Sequence, residues 1–73
     1  MDRASLLGHL VRAEQRMVLG RRQIDNQYRV IAELERERRD TEEAIELLKQ
    51  FLKAQEHFER ERERLMAELA TTR

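Results

Sequence analysis

Two stripes of mainly apolar residues, each repeating in alternating steps of four and three, constrain this chain more than any other feature of its sequence. The first stripe occupies nine positions: Leu6, Leu10, Ala13, Met17, Gly20, Ile24, Gln27, Ile31 and Leu34. The second occupies eight positions: Ala44, Leu48, Phe51, Gln55, Phe58, Arg62, Leu65 and Leu69. Such spacing places the members of a stripe along one side of an α-helix, as in a coiled coil. The sequence therefore predicts two long amphipathic helices.

The two stripes are out of phase, and the break between them carries a helix-start signal. Continuing the first stripe past its last member meets two polar residues in succession, Arg38 and Thr41. Asp40 and Glu43 have the spacing of a capping box, with Asp40 as the N-cap and Glu43 as the third helical residue. We therefore expect one domain over 1–73, with helix one at about 5–38, a turn at about 39–40 and helix two at about 41–70.

A single continuous helix of about 65 residues is the alternative, since no glycine stands at the connection to take a left-handed C-cap. Charge favours folding back: residues 1–39 carry nine Lys and Arg against six Asp and Glu, and residues 40–73 carry six against nine. The two arms therefore have opposite net charges of +3 and −3, and attract each other in a salt-dependent way. We predict an all-α, antiparallel, coiled-coil-like hairpin.

With the turn centred near 39–40, facing residues should have numbers that sum to about 79. The predicted pairs are Leu34 with Ile45, Ile31 with Leu48, Tyr28 with Phe51, Ile24 with Gln55, Ala13 with Met66 or Leu65, and Leu10 with Leu69. Gly20 would face Phe58, and a gap opposite a ring would explain a residue that costs about 1 kcal/mol in a helix interior. The candidate core and interaction residues are Leu10, Met17, Gly20, Ile24, Tyr28, Ile31, Leu34, Leu48, Phe51, Phe58, Leu65 and Leu69.

A two-helix layer cannot cover its own core from both sides, and a chain of 73 residues buries little surface alone. Further apolar residues flank both stripes: Leu7, Val11, Val18, Tyr28, Val30, Ile45, Leu47, Leu52 and Met66. We therefore predict that two hairpins form a homodimer, a four-helix bundle. A helix of another protein is the second partner that such faces could bind.

Residue types that carry chemistry are sparse. The chain has no Cys, and its two histidines, His9 and His57, lie far apart in the predicted hairpin and lack the Glu-x-x-His spacing of bundle metal sites. The hydroxyl residues lie at predicted helix ends, and no glycine-rich phosphate loop is present. We expect a non-enzymatic protein without a metal, a cofactor or a small-molecule substrate.

A surface for nucleic acid is the competing functional hypothesis. Five arginines of helix one would form it, with Tyr28 as a stacking group: Arg12, Arg16, Arg21, Arg22 and Arg29. The formal net charge of zero and the aromatic content of 4% disfavour this hypothesis, because nucleic-acid binding depends on positive charge and base stacking. We therefore expect a protein-interaction module, with a small regulatory nucleic-acid binder as the alternative.

No apolar run exceeds three residues, and no signal-peptide pattern is found, so we expect a cytoplasmic protein without a membrane span. The spacing of its residues resembles that of a group of short, uncharacterised helical proteins from rhizobial and other alphaproteobacterial genomes. The matching positions run from about His9 to Leu69: His9-Leu10, Ala13-Glu14, Ile31, Glu33-Leu34-Glu35, Asp40-Thr41, Ala44, Leu47-Leu48, Phe51 and Arg62 to Leu65. The resemblance implies a bacterial cytoplasmic protein without catalytic residues. Such proteins would have a glycine where this chain has Arg38-Arg39.

Overall fold

The computed structural model describes residues 2–72 and contains two helices, α1 (Arg3–Arg36) and α2 (Glu42–Thr71). The two helices pack against each other along their length, and the hairpin measures 57 × 14 × 13 Å between Cα atoms. Within residues 2–72 no strand occurs. The predicted all-α hairpin is therefore confirmed, and the continuous helix is excluded.

Helix α1 begins earlier than expected because Asp2 caps it. The Asp2 backbone is extended, and its carboxylate accepts a hydrogen bond of 2.7 Å from the Ser5 N–H. This bond satisfies one of the free N–H groups of the first turn. The same N–H lowers the pKa of the Asp2 carboxyl, since it stabilises the ionised form.

Helix α1 ends in a Schellman turn made without glycine. The Arg39 N–H donates to the Leu34 carbonyl at 2.9 Å, and the Arg38 N–H donates to the Glu35 carbonyl at 3.1 Å. Arg38 takes the left-handed position, with a φ of 58°. An L-residue with a Cβ pays about 1–2 kcal/mol for this conformation. The tight turn therefore forms despite the absence of glycine, at a local cost in free energy.

The predicted capping box is wrong. Thr41 is the N-cap of α2, and the first helical bond runs from the Ile45 N–H to the Thr41 carbonyl at 2.9 Å. The Asp40 carboxylate instead accepts from the Glu42 N–H, two residues on, at 3.0 Å. Side chains of Asp often bond locally in this way, as an Asx turn. Glu43 is then the second helical residue, one position too early to close a capping box.

Both apolar stripes lie between the helices. All seventeen stripe positions are buried or half-buried, and most other side chains are exposed. The buried apolar residues are Leu6, Ala13, Ile31, Leu48 and Leu65. At the open end of the hairpin, Leu10 and Leu69 pack against Leu6, Ala13 and Leu65. The heptad spacing thus decides which side of each helix is turned inward.

The register differs from the prediction in the middle of the hairpin, whereas at the open end the predicted neighbours Ala13 and Leu65 lie in one buried cluster. Gln55 Nε2 donates to the Met17 carbonyl at 2.8 Å, and Gln27 Nε2 donates to the Ala44 carbonyl at 2.9 Å. The three atoms nearest to a Cβ built on Gly20 also belong to Gln55. The numbers of these facing residues sum to between 71 and 75, one to two helical turns below the predicted 79. The predicted contact of Gly20 with Phe58 is therefore replaced by a contact of Gly20 with Gln55.

Candidate interaction surface

One broad side of the hairpin carries seven large apolar side chains that no other part of residues 2–72 covers. We call this side the apolar face. Its members are between 38% and 55% exposed. They are Leu7, Val11, Val18 and Tyr28 from α1, and Ile45, Leu52 and Met66 from α2.

Heptad positions explain why these residues share a side. Leu7 and Tyr28 belong to a column of residues seven apart, together with Glu14 and Arg21, and a supercoiled helix places such a column along one line. Glu14 and Arg21 line a groove with Val18 and, across the helix interface, Arg62. This side of α1 therefore adjoins α2 directly.

The same reasoning places the α2 members. Ile45 and Leu52 lie in one column with Met66, at intervals of seven or fourteen residues. Met66 lines a groove with Leu10 of α1. Leu10 lies in the same column as Met17, which lines the groove beside Glu14. The α1 and α2 members therefore form one continuous face.

The opposite side is mainly charged, and we call it the charged face. Arg64 bonds to Glu61 and to Glu68, each at 2.6 Å. The bond from Arg64 lowers the pKa of the Glu61 carboxyl, and the positive charge of Arg16 on α1 lowers it further. The charge of Arg16 therefore acts on Glu61 across this face.

Among the described residues that flank the stripes, Val30 and Leu47 are the large apolar side chains on the charged face. Leu19, which is 58% exposed, lines a groove with Val11 and Val18 at the outer edge of α1.

Two buried glutamines hold the helices in register. Gln27 and Gln55 are 6% and 7% exposed, and each donates its side-chain amide to a backbone carbonyl of the other helix. Gln55 Oε1 is buried without a hydrogen-bond partner, in the space that a side chain on Gly20 would occupy. A buried unpartnered acceptor costs about 1–3 kcal/mol, so this pairing favours one register at a cost in stability.

The residues predicted for the seam lie where the stripes place them, with one exception. Tyr28, expected to face Phe51, is 52% exposed and belongs to the apolar face. The others are buried or half-buried: Leu10, Met17, Gly20, Ile24, Ile31, Leu34, Leu48, Phe51, Phe58, Leu65 and Leu69. Arg62, also in the seam, reaches out to Glu14 at 3.8 Å.

The candidate chemical groups remain dispersed. His9 lies 3.1 Å from an Arg12 nitrogen, while the ring of His57 lies 6.4 Å from that of Phe58. Within residues 2–72 no group of three or more His, Cys, Asp or Glu side chains could hold a metal ion. The five arginines of the nucleic-acid hypothesis occupy four different heptad positions of α1, so the helix does not align them in one stripe.

Sequence reasoning missed two residues of the apolar face, Glu14 and Arg21. Arg21 was considered only as part of a nucleic-acid surface and Glu14 was assigned to no surface, although their spacing of seven from Leu7 and Tyr28 was a signal that could have located them.

Comparison with protein-family models, curated proteins and solved structures yields no match. The resemblance to alphaproteobacterial helical proteins stays a prediction. No helix within the described range of 2–72 is long and apolar enough to cross a membrane.

Proposed function

We propose that this protein is a non-enzymatic interaction module that associates with a second copy through its apolar face, giving a four-helix bundle. The observation that carries the proposal is the distribution of apolar side chains. Five apolar residues are buried inside the hairpin, whereas seven large ones lie at least 38% exposed on a single side. Two hairpins joined through that side would enclose a second apolar layer between them, in addition to the layer between the two helices of each hairpin.

The size of the face supports a stable dimer. The side measures 57 by 14 Å between Cα atoms, which is long and wide enough to hold a standard protein interface of ~800 Å² per partner. Two hairpins stacked through such faces would have the geometry of a four-helix bundle, in which each helix contacts two neighbours. The charged face would then remain in water.

A matched pair of substitutions tests this proposal. Val18 on the apolar face is 50% exposed, and Val30 on the charged face is 39% exposed. Val18→Lys should convert the dimer into a monomer at micromolar concentration, because a lysine at the centre of an interface is desolvated without a partner. Val30→Lys should leave the dimer intact. Sedimentation equilibrium measures both variants, and circular dichroism checks that both stay helical.

A natural chain that sediments as a folded monomer throughout the micromolar range would overturn self-association. In that case an amphipathic helix of another protein is the occupant to look for on the same face. Equal loss of the dimer in Val18→Lys and Val30→Lys would also contradict the proposal, since it would place the interface elsewhere.

A further inference from the structure

Helix α1 carries a second heptad stripe that the hairpin leaves exposed. Its members again alternate in steps of four and three, and we call it the outer stripe of α1. It consists of Leu7, Val11, Glu14, Val18, Arg21, Asp25, Tyr28 and Ala32. Two helices that pack through such stripes bring residues together in regular layers. The order of residues along the stripe therefore decides how a second copy can dock.

The outer stripes of two α1 helices are complementary when the helices pack antiparallel. Reversal about a point near residues 17 and 18 places Leu7 opposite Tyr28 and Glu14 opposite Arg21. Val18 then meets Val18 of the second copy. Two pairs of Leu7 with Tyr28 thus lie at the ends, two ion pairs lie between them, and a pair of valines lies at the centre. Val11 lies opposite Asp25 in this arrangement.

The outer stripe of α2 behaves in the same way. Its members are Ile45, Lys49, Leu52, Glu56, Glu59, Glu63, Met66 and Ala70. Reversal about a point near residues 55 and 56 places Ile45 opposite Met66, Lys49 opposite Glu63 and Leu52 opposite Glu59. Glu56 meets its own copy at this point, where Arg60, 3.3 Å away, offsets the repulsion.

The two reversal points lie at nearly the same height in the hairpin, because Gln55 of α2 contacts both Met17 and Gly20 of α1. Gln55 of α2 bonds to the Met17 carbonyl of α1 at 2.8 Å, so residues 17 and 55 are adjacent across the helix interface. One twofold axis, perpendicular to the helices, can therefore pass through both reversal points. Closed twofold symmetry is the commonest arrangement of homodimers.

We infer that the second copy docks antiparallel on the apolar face, with α1 against α1 and α2 against α2, and with Val18 at the twofold axis. This inference rests on the proposed self-association and specifies its geometry. Arg21 makes no ion pair with any side chain in the described part of the chain, and in the dimer it pairs with Glu14 of the second copy. Glu14 itself has only a long contact with Arg62.

The parallel arrangement is disfavoured by charge. With the open ends together, α1 of one copy would lie on α2 of the other. Glu14 would then face Glu59, and the two valines of the outer stripe would face Glu56 and Glu63. Lys49 would pair with Asp25, which gives two ion pairs in the parallel dimer against four in the antiparallel dimer. Like charges in contact oppose association and select against a wrong partner orientation.

Single cysteines distinguish the two arrangements, because the natural chain has none. Disulfides form only when the Cα atoms approach within about 7 Å. Val18→Cys should therefore oxidise to a covalent dimer. Leu7→Cys alone should not, whereas a mixture of Leu7→Cys with Tyr28→Cys should give a cross-linked heterodimer. Cross-linking of Leu7→Cys with Met66→Cys instead would overturn the antiparallel geometry and leave self-association standing.

A charge exchange provides an independent test. Arg21→Glu should weaken dimerisation by about tenfold or more, since two ion pairs become two repulsive contacts. Arg22→Glu makes the same charge change one residue on, away from the apolar face, and is the matched control that should leave dimerisation unchanged. The double variant Glu14→Arg with Arg21→Glu should restore the dimer.

Sedimentation equilibrium separates the remaining outcomes. A dimer that is equally stable in Arg21→Glu and in the natural chain would overturn the antiparallel pairing while the proposed function survives. A natural chain that is monomeric would overturn both. Circular dichroism of each variant excludes unfolding as the cause of a lost dimer.

Discussion

Replacing Gly20 by alanine is expected to destabilise the hairpin, whereas the same replacement at Gly8 is expected to stabilise it. Both glycines lie inside α1, where alanine is favoured over glycine by about 1 kcal/mol. Their surroundings differ. A Cβ on Gly8 would meet no atom within 4 Å, but a Cβ on Gly20 would overlap Gln55 Oε1 and lie 3.1 Å from Gln55 Cδ.

Three contributions set the magnitude at Gly20. Helix propensity favours alanine by about 1 kcal/mol. Displacing the buried Gln55 side chain costs about 2 kcal/mol, in the middle of the range for overpacked cores. The displaced amide also loses its hydrogen bond to the Met17 carbonyl, worth about 1 kcal/mol. Gly20→Ala should therefore lose about 2 kcal/mol while Gly8→Ala gains about 1 kcal/mol.

Urea unfolding followed by far-ultraviolet circular dichroism measures both variants. All chains are compared at one protein concentration, because association would also shift the midpoint. With a denaturant slope of about 1 kcal/mol per molar, the two midpoints should differ by about 3 M. In a Gln55→Ala background, where the overlapping amide is gone, Gly20→Ala should become stabilising.

Equal stabilisation by Gly20→Ala and Gly8→Ala in the natural background would refute this reasoning. It would mean that Gln55 does not occupy the space beside Gly20, and that the register described by their contact is wrong.

The remaining predictions concern the turn, the buried amide and the N-terminal cap. Arg38→Gly should stabilise the hairpin by about 1 kcal/mol, as glycine tolerates a φ of 58°, whereas Arg39→Gly should not stabilise it; urea unfolding compares the two. Gln55→Leu should raise the free energy of unfolding by about 1–2 kcal/mol because it removes the unpartnered Oε1, and a lower urea midpoint would contradict this. Asp2→Ala should lower the melting temperature at neutral pH. Since the Asp2 pKa is lowered in the folded state, its contribution is present above the unfolded pKa and is lost as the pH falls below 3.8; a difference that persists in strong acid would exclude the cap.

The inward sides of both helices could be predicted from the sequence because heptad spacing reports directly on which side of a helix avoids water. All seventeen stripe positions lie in or beside the interface. The polar members Gln27 and Gln55 were included by spacing alone, and both are buried. The exposed apolar residues flanking the stripes were also visible in the sequence, although Tyr28 was placed both among them and opposite Phe51 in the seam.

The helix ends were harder to predict, because capping depends on which backbone groups a short polar side chain reaches. Asp2 and Asp40 both accept backbone N–H groups, yet Asp2 is an N-cap and Asp40 precedes one. The difference arises in the turn, where Arg38 enters the left-handed region and delays the start of α2 to Glu42. No local propensity favours arginine in that conformation.

The formation of two amphipathic helices, and the identity of the apolar side of each, follow from the order of residues along the chain. The register depends instead on contacts between the two helices. Sliding one helix by about four residues is close to one full turn, so every side chain keeps its side and the heptad pattern is almost unchanged. Specific contacts choose between such registers: Gln55 fits only where Gly20 leaves space, and Gln27 bonds only where the Ala44 carbonyl is within reach.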